Sequence, residues 1–340
     1  METTMPNIFS FKFLKIVFRG TGQVMFQNNA WTGFFFLAGI FYGSYTSGNG
    51  IVGWGALVAV IVSTITGYLL KNPAKDGLSG LWGFNGVLVG CALPTFLGNT
   101  PLMWLALILF AATTTWVMGG LNNVLAPYKV SSFTFPFVLL TWFVLLASRI
   151  MHGLPDAGLG TPSLPGTFSS TLDTSFPMLV KYWLCGISQV FLVNSWITGI
   201  LFLIGLWISN KWAAVWAAVG SALALGTAIL FQCNSSDISN GLFGFSPVLT
   251  GIALGITFYT VNWRSAIWSL LGIVVTVFIQ AGMDVLFAPI GIPTLTGPFC
   301  VATWLFLLPH IPFERTEEPV HEPVEVKIVK AKAVGKTYEL

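Results

Sequence analysis

Charge is what this chain has least of. Of its 340 residues only 8% are Asp, Glu, Lys or Arg, against 55% hydrophobic. Soluble domains carry about 25% charged residues. Eleven of these charges lie in the last 27 positions, from Glu314 onward. The body between Gly20 and Phe313 therefore cannot be coated in water-facing charge, and lipid is the solvent it suits. Cysteine is sparse too: Cys91, Cys185, Cys233 and Cys300 are scattered, with no CxxC pair. That pattern makes neither a disulfide framework nor a zinc site. The three histidines, His152, His310 and His321, have no helix-spaced partner for a metal. No cleavable signal pattern is visible, because Lys12, Lys15 and Arg19 precede apolar segments without a small-residue cleavage site. A net charge of +3 is too small a footprint for nucleic acid. A membrane-embedded enzyme would need a nucleophile, base or metal at depth, and none is visible. No cofactor is expected.

Apolar runs are what remains. A spanning helix needs about 20 largely apolar residues. Ten candidates lie near 26–46, 51–70, 80–97, 102–121, 134–150, 190–209, 212–231, 243–260, 265–281 and 297–313. The predicted fold is an all-α polytopic membrane protein. With the N-terminus in the cytoplasm, ten spans place 13 of the 15 Lys and Arg residues inside, as the positive-inside rule asks. Only Arg149 and Lys181 fall outside, and both termini become cytoplasmic. Residues 151–178 are expected to be an external Pro- and Gly-rich linker, and residues 314–340 a charged cytoplasmic tail.

The chain also contains itself twice. GTGQVMFQNNAWTGFFFLAG at 20–39 matches GISQVFLVNSWITGILFLIG at 186–205. GFNGVLVG at 83–90 matches GFSPVLTG at 244–251. APYKVSSFTFPFVLLTWFVLL at 126–146 matches APIGIPTLTGPFCVATWLFLL at 288–308. The offsets stay between 161 and 166, in one order, which marks an internal duplication. Five spans per half would insert the second half upside down. The expectation is two inverted five-helix repeats, residues 1–150 and 179–313, with the solute site between them. Pro127 and Pro136 recur as Pro289 and Pro298, which predicts proline-broken half-helices lining a central pore.

Three duplicated pairs are the candidate site. Gln23 and Gln189 each sit in a GxxQV block. Burying an amide without partners costs about 2–7 kcal/mol on alkane-type references, so each needs a reason. A neutral amide oxygen can accept N–H bonds from an uncharged solute; helix capping or an interhelical hydrogen bond is the competing explanation. Thr134 and Thr296 form the second pair, with back-bonding to their own helices as the plainer alternative. Phe84 with Leu88, and Phe245 with Leu249, are four apart and share a helix face. Ordinary packing would explain them, but two facing pairs could also form a flat slot. No Asp or Glu falls mid-span. Asp284, at a span end, is expected to be a solvated or capping loop carboxylate, with a role in coupling or proton transfer as the alternative. Without a buried relay, passive conduction of a small neutral solute is favoured.

These blocks resemble the urea transporter family, which carries a duplicated LPxxTxPF motif. IPTLTGPF at 292–299 departs from it only at Ile292. VSSFTFPF at 130–137 keeps Thr134, Pro136 and Phe137 but opens with Val130 and Ser131. The resemblance covers about residues 15–310 and implies a urea channel with a pore in each subunit of a homotrimer. It implies one outer site of Gln23, Phe84, Leu88 and Thr296 with Phe26 nearby, and another of Gln189, Val190, Phe245, Leu249 and Thr134. A bacterial inner membrane is the implied setting. Ammonia and short amides are the alternative solutes.

Overall fold

The computed structural model describes residues 6–8, 10–70, 74–164 and 171–315. Among them the chain forms fourteen α-helices, seven in each half. The first half runs α1 (Phe11–Gln23), α2 (Ala30–Thr46), α3 (Ile51–Leu69), α4 (Ala74–Leu78), α5 (Phe84–Phe96), α6 (Pro101–Leu125) and α7 (Phe135–Ser148). The second runs α8 (Phe176–Ser188), α9 (Trp196–Ser209), α10 (Lys211–Leu230), α11 (Ser235–Ser239), α12 (Phe245–Ile252), α13 (Trp263–Phe287) and α14 (Gly297–Leu307). A π-helical turn, Ala253–Thr257, extends α12.

Local chemistry sets the helix starts. The Asn29 side chain accepts from the backbone N–H groups of Trp31 and Thr32 and starts α2. Ser195, at the matching place, accepts from Thr198 and starts α9. Both satisfy donors that a helix leaves orphaned at its N-terminus. The tight crossings inside each half come from glycine. A Cβ at Gly33 would lie 1.7 Å from the Phe18 carbonyl oxygen, and one at Gly199 would lie 2.2 Å from that of Leu184. Helices α1 and α2, and likewise α8 and α9, can approach this closely only because those side chains are missing.

The duplication is also written in the backbone. Left-handed residues recur in pairs: Phe26 (φ 62°) with Leu192 (58°), Lys129 (52°) with Gly291 (63°), Phe133 (50°) with Leu295 (52°), and Gly80 (85°) with Gly241 (73°). Bulky residues adopt this region rarely, so four matched pairs, five of whose eight members are not glycine, reflect one chain path used twice. Across the halves, α2 packs on α9 through a reciprocal pair of bonds. Thr32 Oγ1 donates to the Gly205 carbonyl at 2.7 Å, and Thr198 Oγ1 donates to that of Gly39 at 2.8 Å. Exchange of equivalent contacts is what a two-fold relation between interacting surfaces produces.

The number of spanning helices corrects the sequence-based expectation. Among the described residues four helical stretches are long and apolar enough to cross a membrane: Ile51–Leu69, Pro101–Tyr128, Lys211–Leu230 and Trp263–Ile290. A fifth span is possible if Phe176–Phe191 and Trp196–Ser209, bent by 71°, count as one. Ten transmembrane helices arranged as two inverted five-helix repeats are therefore not observed. The apolar stretches Phe84–Phe96, Phe135–Ser148, Phe245–Thr257 and Gly297–Leu307 are short helices. Thirteen helical residues rise only about 20 Å, short of the roughly 30 Å hydrocarbon core. Apolar content alone cannot show that the chain turns left-handed at Phe26 and Leu192, inside two of the ten runs. The prolines were also misread. Pro136 and Pro298 lie in the first turns of α7 and α14, where they start a helix rather than break one. The predicted linker is held in its described part, with Gly98 N–H donating to the Pro155 carbonyl and Ser163 N–H to that of Ala288. Residues 165–170 of that linker, and the predicted tail from 316 onward, lie outside the described residues.

Candidate functional site

The two halves meet at their threonines. The left-handed turns at Phe133 and Leu295 swing the chain so that Thr134 and Thr296 precede α7 and α14 as N-caps. Their Oγ1 atoms lie 2.6 Å apart, hydrogen-bonded, and Thr134 Oγ1 is 3.4 Å from Cys300 Sγ. Both threonines are almost wholly buried. The sequence assigns them to separate sites; the structure joins them in one contact. A second reciprocal pair flanks it: Trp142 Nε1 donates to the Pro293 carbonyl and Trp304 Nε1 to that of Ser131, each at 2.9 Å.

Gln23 ends α1, and Gln189 opens the 3₁₀ turn after α8. Both are half-buried. Each spends its amide nitrogen the same way. Gln23 Nε2 donates to the Ser79 carbonyl, and Gln189 Nε2 to that of Asn240, both at 2.9 Å. These acceptors follow the short helices α4 and α11. Neither Oε1 receives a hydrogen bond among the described residues. The amide is thus pinned through its donor while its acceptor stays available.

Phe84 and Phe245 begin α5 and α12, and Leu88 and Leu249 are fully buried one turn later. Val190 is also fully buried. Phe26 packs edge-on against Phe133, Phe258 and Phe299, with ring centroids 6.4, 5.7 and 6.1 Å away. Its counterpart in the second half, Leu192, is a position the motifs did not single out; the offset from Gln23 to Gln189 would have located it. Asn85 was missed as well. It is 1% exposed, its Nδ2 donates to the Phe133 carbonyl at 3.3 Å, and its Oδ1 accepts from Phe137 N–H at 3.1 Å. It braces the turn that delivers Thr134. The repeat places Ser246 at the equivalent position, and that hydroxyl is buried without a partner among the described residues.

A cavity of about 570 Å³ is walled mostly by the second half, with Thr95, Phe96 and Phe137 contributed by the first. Of the predicted residues it gathers Gln189, Val190, Phe245 and Thr296, together with Leu192. Gln23, Phe26, Phe84, Leu88, Thr134 and Leu249 do not line it. Asp237, Gln280, Asp284 and Thr294 add polar groups to its wall. Asp284 corrects its expectation: it lies inside α13, half-buried, and accepts from Gln280 Nε2 (3.0 and 3.2 Å) and Thr294 Oγ1 (3.2 Å). Burial also pushes the Asp237 carboxyl, on α11, above the usual carboxylate range, against a lowering bond from Asn234. Among the described residues no three His, Cys, Asp or Glu side chains could hold a metal ion.

Long apolar helices, a duplicated chain path and a buried polar seam between the halves define an integral membrane protein of the transport class. Residues 14–311 match the urea transporter family. The chain belongs to that family. It is 30% identical over 302 residues to urea transporter 1 of Ovis aries, covering 87% of this chain and 77% of the relative. It is 30% identical over 305 residues to urea transporter 1 of Mus musculus and 29% identical to that of Rattus norvegicus, with the same coverages. These relatives are mammalian, where the sequence-based expectation was a bacterial channel.

Proposed function

We propose that the protein is a channel through which urea diffuses passively down its own gradient. The observation that carries this reading is the matched use of Gln23 and Gln189. Each amide nitrogen is tied to backbone, and each carbonyl oxygen is left to accept from a solute. Urea is planar and uncharged and carries four N–H donors, so it suits such acceptors. Phe84 with Leu88, and Phe245 with Leu249, would offer flat apolar walls beside them. Ammonia would need neither the walls nor paired acceptors, so these features favour urea over it.

The test is solute-driven volume change of proteoliposomes followed by stopped-flow light scattering. Wild-type protein should carry urea only down its gradient. Losing one neutral hydrogen bond costs about 0.5–1.5 kcal/mol, so Gln189→Ala should slow urea flux a few-fold. Adding Gln23→Ala should slow it further. Wild-type flux in the folded double variant would show that the glutamines only hold the fold. Urea accumulation driven by a proton or sodium gradient would overturn the passive mechanism.

A further inference from the structure

The two halves differ in charge at equivalent places. In the first half the loop after Asp76 holds a guanidinium, since Arg19 Nη1 donates to the Leu78 carbonyl at 2.9 Å. At the offset of the first repeat block, the place of Arg19 is taken in the second half by Cys185. Asp237 stands where Asp76 does, and Asp284 stands where the first half has Asn122. The second half thus gains one carboxylate and loses one cation.

Both carboxylates line the same cavity, from separate helices. Neither makes an ion pair among the described residues. Arg149 is bonded to two lining residues, its Nη2 donating to the Gly160 and Gly291 carbonyls (2.9 and 3.0 Å), and its Nη1 pairs with Asp156 at 3.4 Å. A second, independent feature points the same way. Gln280 lines the cavity, is 2% exposed, and gives its Nε2 to Asp284 and Thr294. Its Oε1 has no partner among the described residues. A buried acceptor left unsatisfied costs about 1–3 kcal/mol, and partly desolvated carboxylates are stabilised by a cation beside them.

We propose that this cavity binds a small organic cation carrying several N–H donors, of the guanidinium or amidinium class. Its charge lies against Asp237 and Asp284, and its N–H groups serve the carboxylate oxygens and, after a small side-chain adjustment, Gln280 Oε1. Planar N–H donors match carboxylates in a forked geometry that a bare metal ion or a fully alkylated ammonium cannot copy. Only the corollary, that the bound cation obstructs urea entry, rests on the channel reading above; binding itself does not.

The experiment is calorimetric titration of the purified full-length protein in nanodiscs with guanidinium at low millimolar concentration. Urea flux is measured in the same preparations reconstituted into liposomes. Saturable binding is expected, weakened tenfold or more by Asp284→Asn and by Asp237→Asn. Asp237 is on a short connecting helix, so that variant keeps the test open if Asp284→Asn fails to fold. Tetramethylammonium and potassium should not compete. Unsaturable binding, binding unchanged in the folded variants, or equal competition by either control cation would overturn the site. Guanidinium binding without any urea flux would leave the site standing and condemn the channel reading. Urea flux without guanidinium binding would do the reverse.

Discussion

The first half braces its turn with Asn85, which reaches both the Phe133 carbonyl and the Phe137 N–H. The second half has the shorter Ser246 there, whose hydroxyl is unpartnered among the described residues and bonds neither Leu295 nor Phe299. The contrast continues outward. Phe26 and Phe133 in the first half sit with Phe258 and Phe299 in a cluster of rings. Leu192 and Leu295, their counterparts, line a cavity whose wall also carries Asp237 and Asp284. Asn122 accepts from the Ser132 N–H, whereas Asp284 at the same place is held by side chains. The backbone is nonetheless the same, with left-handed turns at the same four pairs of places. What the halves share is whatever a reciprocal contact or a steric limit demands. Where neither applies, each half has its own side chains, and the two mouths of one duplicated path become chemically different.

The largest effect should come from the shared steric limit. Gly33→Ala and Gly199→Ala each push a methyl group into a backbone carbonyl, and overpacking of this kind costs about 1–3 kcal/mol and occasionally more. Gly33→Ala should be the worse, because its clearance is 1.7 Å against 2.2 Å. Thermal unfolding and the monodisperse fraction in detergent report the cost. A wild-type midpoint in either variant would mean that these crossings are looser than the structure shows.

The shared hydroxyl contact should come next. Thr134→Val strands the Thr296 hydroxyl, at a cost of about 1–3 kcal/mol for an unpaired buried group, while Thr296→Val leaves the Thr134 hydroxyl only the Cys300 thiol. Both together remove the pair and should cost less than the two single changes summed. A double-mutant cycle on unfolding free energy measures the coupling. Strict additivity would show that the two hydroxyls do not depend on each other.

The smallest effect should come from making the first half resemble the second. Asn85→Ser removes two long hydrogen bonds, and a net loss of about 1 kcal/mol in stability is expected. Because the turn at Phe133 carries Thr134, urea flux should fall somewhat as well. Unchanged stability would mean that the brace is dispensable and that the Asn–Ser difference has no mechanical meaning.

Much of this was legible before any coordinates. The charge-poor body, the duplication and the GxxQV and TxPF blocks are local in sequence, and they pointed to an integral membrane protein and to Thr134 and Thr296, which touch across the halves. Apolar content misled where it was asked to count spans. It records transfer into lipid, which a broken or short helix satisfies as well as a full one, so ten runs became four long helices, or five with the bent pair. The N-caps at Asn29 and Ser195 were polar residues of known type at helix starts, whereas the bond between Thr134 and Thr296 links positions 162 apart. No local pattern specifies such a contact. It needs both left-handed turns, the Asn85 brace and the reciprocal tryptophan bonds to act together. Residue types and their repetition were determined by the sequence alone; which of them touch, and that Asp284 is held within a helix at a cavity wall, was decided by packing. Hydrogen bonds between distant segments form only once the chain has brought those segments within about 3 Å of each other.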